Sequence, residues 1–188
     1  MRKVRIVAWV FALGATVLLK GPSVSADEIV RARATINSCT DGSVVGSATL
    51  IEIPSAEGVK NVTVFLSARN LTAGSHAVHI HEVGACTPCS AAGSHLDLGP
   101  FGQNVPVTAN HPYHSGDLIN VRAGSNGAGF MTHVSSRVAL SDGNLSIFDA
   151  NGASLVIHAL PDTYCADPND PNCAGGSRVA CGILERVQ

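Results

Sequence analysis

The sequence lacks any long segment with the 3.6-residue hydrophobic periodicity of an amphipathic helix. This absence excludes helical bundles and coiled coils. Short runs rich in β-branched residues recur instead, separated by pairs such as Asp41-Gly42 and Asn126-Gly127 that favour tight hairpin turns. The pattern predicts an all-β domain. Eight strands are expected, at Ile29–Ile36, Val44–Ile53, Lys60–Ala68, His76–Glu82, Leu118–Arg122, Gly129–Val134, Ser154–Leu160 and Arg178–Leu184.

A run long enough to span a membrane is also missing. The longest apolar stretch, from Ile6 to Leu19, falls short of the roughly 20 residues that a spanning helix needs. It follows a basic start and precedes the small-residue site Val24-Ser25-Ala26, which is the pattern of a secretory signal peptide. The sequence therefore predicts a leader over residues 1–26 and a single mature domain over 27–188, secreted or periplasmic and free of the membrane after cleavage.

Basic residues are scarce once the leader is removed. The mature chain keeps 8 of the 12 basic residues and all 14 acidic ones, a net charge of −6 with neutral histidines. Nucleic acid is held mainly by Lys and Arg on phosphate, so this balance argues against a nucleic-acid partner.

Cysteine is well represented, and all six cysteines lie in the mature part. In an oxidising compartment an even number of cysteines predicts disulfides. Two long loops also stand out, from Val83 to Asp117 and from Pro161 to Ser177. Loops of this length in a small domain are often functional. Cys165 and Cys173 are close in the second loop and are expected to bond to each other, with Cys89 or Cys39 as the alternative partners of Cys165.

Histidines concentrate in and around these loops. His79 and His81 are two residues apart, so a strand presents both imidazoles on one face, with Val78 and Ile80 on the other. Two imidazoles at that spacing can converge on one metal ion. His76 shares the face of Val78 and Ile80, and we expect it to be a packed, hydrogen-bonded side chain rather than a ligand.

A second set of candidate ligands lies in the first long loop, two histidines and a carboxylate at three-residue intervals: His111, His114 and Asp117. A loop can fold three such ligands around a small tetrahedral ion. His95 lies between the two sets and is available to either, and His158 ends another predicted strand. His133 has no comparable context and is expected to be structural or at the surface.

Five motifs follow one another along the mature chain: His79-Ile80-His81-Glu82-Val83-Gly84, Ala92-Gly93-Ser94-His95, His114-Ser115-Gly116-Asp117-Leu118, Leu155-Val156-Ile157-His158 and Gly176-Ser177-Arg178-Val179-Ala180-Cys181-Gly182. Together they closely resemble those of Cu/Zn superoxide dismutase. The resemblance implies an eight-stranded Greek-key β-barrel or sandwich with two long functional loops. It also implies that superoxide is converted to dioxygen and hydrogen peroxide with one copper and one zinc per chain.

The resemblance assigns roles residue by residue. The implied copper ligands are His79, His81, His95 and His158. The implied zinc ligands are His95, His111, His114 and Asp117. His95 thus bridges the metals, and in the family it also takes up and delivers a proton. Asp162 matches an aspartate that ties a copper histidine to a zinc histidine, and Arg178 matches the arginine that attracts and orients the anion.

The family disulfide is implied to end on Cys181. Cys86 lies five residues after His81, as in bacterial periplasmic members, and Cys89 lies six before His95, as in eukaryotic ones. The first pairing is favoured and Cys89 stays the alternative. Cys39 has no assigned partner.

Other questions stay open at this level. Family members dimerise through different faces, so a homodimer is possible and its face undetermined. No Lys or Arg lies between Asp162 and Arg178, where the family usually carries charges that steer the anion. A protein that stores or delivers metal on the same fold is the rival reading, although all seven ligand positions and Arg178 are occupied.

Overall fold

Antiparallel strands make up almost all of the regular structure in the computed structural model, which describes residues 29–55, 58–99, 114–164 and 170–187. Within those residues there are ten strands: β1 (Val30–Ser38), β2 (Val44–Pro54), β3 (Lys60–Ala68), β4 (Gly74–His76), β5 (Val78–His81), β6 (Val121–Ala123), β7 (Gly129–Ser135), β8 (Ser154–His158), β9 (Arg178–Ile183) and β10 (Glu185–Val187). One short 3₁₀ helix covers Cys89–Ala92. The all-β prediction is confirmed. The predicted leader, residues 1–26, lies outside the described residues.

The strands form a nearly closed barrel. Their order is β4-β6-β7-β3-β2-β1-β9-β8-β5, with β10 paired to β1, so the consecutive strands β4 and β5 lie at opposite ends of the path. The chain passes from β3 to β4 and from β7 to β8 without pairing the strands it joins, as Greek-key connections do.

The prediction of one strand over His76–Glu82 was wrong in a way that explains the closure. At Ala77 the chain leaves its pairing with β6, because the N–H of Ala77 donates to Leu160 O (2.8 Å) and its carbonyl accepts from His158 N (2.9 Å). Before Ala77 the chain pairs with β6, and after it with β8. The predicted strand over Arg178–Leu184 corresponds to β9, and β10 follows it as a further strand that was not predicted. One divided strand and one additional strand turn the eight predicted segments into ten.

The predicted strand over Leu118–Arg122 was also misplaced, since β6 begins at Val121. Leu118 N donates instead to Val78 O (3.2 Å), and the side chain of Asn120 bonds to the backbone of Asp162. These residues therefore attach the preceding loop to the barrel rather than extend the sheet.

The core lies inside the barrel and follows the two-residue alternation of the strands. Leu50, Val62 and Val64 are fully buried, for example, whereas their sequence neighbours face outward. Glu52 is a charged residue that is nevertheless buried. Its carboxylate accepts hydrogen bonds from Ser141 N (3.0 Å) and Ser141 Oγ (2.6 Å). Burial alone would raise the pKa of Glu52, but these bonds outweigh it and lower the pKa below its usual value.

Disulfides tie the loop after β5 to the barrel at two points. Cys86 is bonded to Cys181 on β9, the favoured of the two implied pairings, and Cys89 is bonded to Cys39. Cys173 is disulfide-bonded too. Cys165, its expected partner, lies outside the described residues, so that pair stays a prediction. Across the described ranges, no helix has the length and apolar character needed to cross a membrane.

Candidate metal centre

Strand β5 brings two histidines to the outer side of the barrel. His79 and His81 are fully buried from solvent, while Val78 and Ile80 belong to the core cluster inside. His76, on β4, does not join them. Its Nδ1 lies 2.8 Å from His158 O and its Nε2 lies 2.8 Å from Thr72 O, so both ring nitrogens contact backbone carbonyls.

Four imidazoles converge outside β5. Each offers one nitrogen, and these nitrogens all lie within 4.8 Å of one another: His79, His81, His95 and His158. Three elements deliver them. The first two come from β5, and His158 ends β8, which pairs with β5. His95 comes from the long loop, whose backbone forms a β-bridge from His95 to His81.

A second group adjoins the first and shares His95 with it. His95, His114 and Asp117 also bring one ligand atom each within 4.8 Å of the others. Asp117 Oδ1 lies 2.8 Å from His95 Nδ1, and Oδ2 lies 3.4 Å from His114 Nδ1. His95 therefore faces this group with Nδ1, which leaves Nε2 for the four-histidine group. His111 lies outside the described residues.

Backbone carbonyls fix the orientation of two of the four imidazoles. His81 Nδ1 lies 3.0 Å from Gly93 O, and His158 Nδ1 lies 2.9 Å from Gly176 O. A carbonyl can only accept, so each Nδ1 must carry the proton, and in a neutral ring Nε2 then has a lone pair. The two Nε2 atoms face each other at 3.4 Å. Two facing lone pairs repel unless a cation lies between them, so this arrangement suits a metal ion.

A carboxylate orients His79. Its Nε2 donates to Asp162 Oδ2 (2.9 Å), which leaves Nδ1 as its ligand atom. Asp162 is itself held in place, since its Oδ1 accepts from Tyr164 N (2.6 Å). The side chain of Asn120 makes two hydrogen bonds to the Asp162 backbone. Its Oδ1 accepts from the Asp162 N–H (2.8 Å), and its Nδ2 donates to the Asp162 carbonyl (3.0 Å). Nothing in the sequence indicated that Asn120 holds Asp162, because a single asparagine after the Asp117 motif matches no pattern.

Burial keeps three imidazoles of the four-histidine group neutral, those of His79, His81 and His158. It lowers the pKa of His81 to about 2 and that of His158 to about 4, and it also lowers the pKa of His79. The nearby Arg178 guanidinium lowers the first two further. The neutral ring is the form that binds a metal, so at neutral pH these nitrogens need not lose a proton first.

The charge balance of the second group differs. Burial alone would raise the pKa of Asp117, but hydrogen bonds from His114 and His95 hold it well below the usual range of a carboxyl group. The hydrogen bond to Asp117 raises the pKa of His114. An ionised carboxylate beside two imidazoles is a donor set that suits zinc, whereas four imidazoles suit copper. The chemistry of both groups therefore fits the metals implied by the sequence.

Arg178 begins β9 beside the four-histidine group and is partly exposed. Its Nη1 donates to Cys89 O (2.8 Å) and its Nη2 donates to Gly93 O. Both acceptors belong to the loop after β5, so that loop holds the guanidinium in place. The Gly93 carbonyl also accepts from His81, which links the arginine to the metal group through one atom.

Comparisons with known proteins agree with this geometry. A family model described as copper/zinc superoxide dismutase matches residues 44–184. The chain is 34% identical over 149 residues to Superoxide dismutase [Cu-Zn] 2 of Aquifex aeolicus, covering 77% of this chain and 81% of that protein. It is 34% identical to Superoxide dismutase [Cu-Zn] of Caulobacter vibrioides, with coverages of 77% and 80%. Among solved structures, a SOD-like protein from Bacillus subtilis superposes with a TM-score of 0.63 at 26% identity, covering 81% of this chain and 97% of that one.

Proposed function

Since this chain belongs to the copper/zinc superoxide dismutase family, we propose which of its residues perform the family's reaction. The reaction itself is the dismutation of superoxide: two superoxide anions and two protons give one dioxygen and one hydrogen peroxide. Copper and zinc are its cofactors, and the histidine cluster is compatible with them.

The four-histidine group is our proposed copper site: His79, His81, His95 and His158. Copper held there would supply the one-electron chemistry that the dismutation of superoxide requires. The chain's own contribution is to fix the ring orientations in advance. Gly93 O, Gly176 O and the Asp162 carboxylate each hold one imidazole by the nitrogen that does not face the centre of the group. Such outer contacts orient ligands and tune a metal.

The zinc site is proposed at His95, His114 and Asp117, with His111 as the fourth ligand from outside the described residues. Zinc has no redox chemistry of its own, so this group serves to hold His95. The Asp117 carboxylate already engages His95 Nδ1, which fixes the ring that both groups share.

Arg178 is proposed to attract and orient superoxide. Its guanidinium is tied to two carbonyls, yet it stays partly exposed beside the histidines, where it can donate to an incoming anion. His95 is proposed to hold and deliver one of the two protons. Because Nδ1 faces the proposed zinc group, the proton is held at Nε2, on the side of the four-histidine group.

Export of the chain is also proposed, with the leader over residues 1–26 removed. The domain contains at least two disulfides, and disulfides persist in an oxidising compartment. The relatives include an extracellular superoxide dismutase of Onchocerca volvulus, 32% identical over 146 residues. A homodimer stays a prediction.

One observation carries the site assignment, the pair of facing Nε2 atoms of His81 and His158 at 3.4 Å. Replacing His81 by Gln removes one of them while keeping a polar side chain of similar length. We expect the metal-loaded His81→Gln variant to lose at least about 100-fold in dismutation rate, measured against a calibrated superoxide source. The matched control is His133→Gln on β7, outside both groups, which should keep full activity. An active His81→Gln variant would refute the assignment.

A further inference from the structure

The Cys39–Cys89 disulfide lies beside Arg178 and has no role in the sites described above. We propose that it is a positioning element for Arg178, which keeps the guanidinium directed at the incoming anion. The inference rests on the proposed role of Arg178 and concerns what holds that side chain in place.

A closed ring of contacts supports the inference. The carbonyl of Cys89 accepts from Arg178 Nη1 (2.8 Å), and the sulfur of Cys89 is bonded to Cys39. The N–H of Cys39 donates to Val179 O (2.9 Å), and Val179 is the next residue after Arg178. The disulfide therefore joins the carbonyl that receives the guanidinium to the strand from which the guanidinium extends. Moving one relative to the other requires breaking the ring.

The other carbonyl that holds Arg178 does not depend on this disulfide. Gly93 lies next to residues that pair with the end of β5, because Glu82 N donates to Ser94 O (3.0 Å) and Val83 N donates to Ala92 O (3.0 Å). Glu82 Oε1 also accepts from Ser94 N (2.8 Å). Breaking the Cys39–Cys89 bond should therefore loosen one of the two anchors of Arg178 and leave the Gly93 carbonyl, with its contact to His81, in place.

The second disulfide of the same loop provides a matched control. Cys86–Cys181 also ties the loop to the barrel, over a sequence separation of 95 against 50 for Cys39–Cys89. In the chain-entropy account the longer closed loop contributes at least as much stability. However, both described side-chain hydrogen bonds of Arg178 end on Cys89 and Gly93, and neither involves Cys86. Cys181 lies on β9 three residues after Arg178, but Cys86 offers the guanidinium no acceptor, so loss of this disulfide should lower stability with a smaller effect on Arg178.

The experiment measures anion binding in the copper- and zinc-loaded mature chain. The probe is azide, a small anion that ligates Cu(II), followed by its absorption band. In the C39S/C89S double variant we expect azide to bind about three- to tenfold more weakly, because one charge-assisted anchor of the arginine is loosened. The Cu(II) spectrum without azide should be unchanged, since the Gly93 contact to His81 remains. The C86S/C181S double variant should lower Tm at least as much, yet keep azide affinity within about twofold of the parent.

A double-mutant cycle with Arg178→Ala distinguishes positioning of the guanidinium from a general loosening of the site. If the disulfide acts through Arg178, then C39S/C89S has no further effect on azide affinity once the guanidinium is absent. An equal fold-loss with and without Arg178, or no loss in C39S/C89S, would overturn the inference. If Arg178→Ala alone leaves azide affinity and dismutation unchanged, the proposed function of Arg178 is what fails.

Discussion

At the scale of single residues, each imidazole of the proposed copper site divides its two nitrogens between two tasks. One nitrogen of His79, His81 and His158 is held by Asp162, Gly93 or Gly176, and the other faces the centre of the group. The orientation of these rings therefore exists before a metal binds. A preorganised site does not lose side-chain entropy at the moment of binding, which favours affinity.

Asp162 gives the most direct test of this orienting role. Replacing it by Ala removes the acceptor for His79 Nε2, and we expect the affinity for copper to fall by about 10- to 100-fold in a competition titration with a chelator. The control is Asp149→Ala, an exposed carboxylate that accepts a hydrogen bond from the turn amide of Asn151 and lies outside both ligand groups. Equal copper affinity in both variants would mean that Asp162 does not orient the ligand.

The depressed pKa values of the histidines predict how the metal-free protein responds to acid. His79, His81 and His158 are neutral in the fold, whereas in the unfolded chain they titrate near 6.5. Unfolding below pH 6.5 therefore takes up protons. The contribution to stability is full above that pH and is lost as the pH falls towards about 4, where His158 also protonates in the fold.

For three such groups, the free energy of unfolding should fall by about 3 kcal/mol between roughly pH 6 and pH 5, measured by urea denaturation of the metal-free chain. His158→Gln should reduce this slope by about a third, because its amide does not titrate. A change under about 1 kcal/mol in the parent protein would contradict the protonation states assigned here.

At the scale of elements, the first long loop is attached to β5 through a position where only glycine fits. Gly116 donates to Leu96 O (2.8 Å), and its carbonyl accepts from Ile80 N (2.8 Å). A Cβ at Gly116 would lie 2.3 Å from Ile80 O and 3.0 Å from Leu96 Cβ. The loop that carries His95 and Asp117 thus packs directly on β5, which carries His79 and His81.

Gly116→Ala should therefore separate the loop from β5. We expect a loss of at least about 2 kcal/mol in the free energy of unfolding, because the clash is with backbone that cannot rotate away. Zinc affinity should fall with it, since Asp117 is the next residue. Gly124→Ala is the matched control, as its Cβ would approach only the side-chain oxygen of Asn126 (3.1 Å) and the carbonyl of Ala128 (3.9 Å). Equal stability of the two variants would rule out this close packing.

Strand alternation and the five motifs were enough to predict the β-fold, because side-chain pattern and turn residues are local signals. The same signals could not show that the fourth predicted strand changes partners at Ala77, which depends on a carbonyl of Leu160 far along the chain. The orienting contacts were hidden for a similar reason. Gly93 and Gly176 act through backbone oxygens, which every residue possesses, so the sequence has no mark for them.

At the scale of the whole molecule, an acidic protein must attract an anionic substrate. The proposed mature chain, residues 27–188, carries 8 basic and 14 acidic residues, and the stretch between Asp162 and Arg178 contains no Lys or Arg. Arg137 donates to Asp117 O (2.6 Å), so this arginine holds the loop that carries Asp117. We therefore propose that guidance of superoxide depends mainly on Arg178 and the metals.

Weak long-range steering predicts a weak response to salt. Between roughly 20 and 200 mM ionic strength, kcat/KM should change by less than about twofold, because screening acts mainly on charges separated by more than about 10 Å. The same series in Arg178→Ala shows whether any remaining slope belongs to the arginine. A steep fall in kcat/KM with salt that persists in Arg178→Ala would show that other charges steer the anion.

The central claim, that two adjoining donor groups share His95 and hold different metals, is tested most directly by the metal content of the purified mature chain together with its dismutation rate. Four imidazoles for copper and a carboxylate-containing set for zinc predict one copper and one zinc per chain and an active enzyme. A chain that retains zinc alone when copper is supplied, and that does not dismute superoxide, would contradict the account.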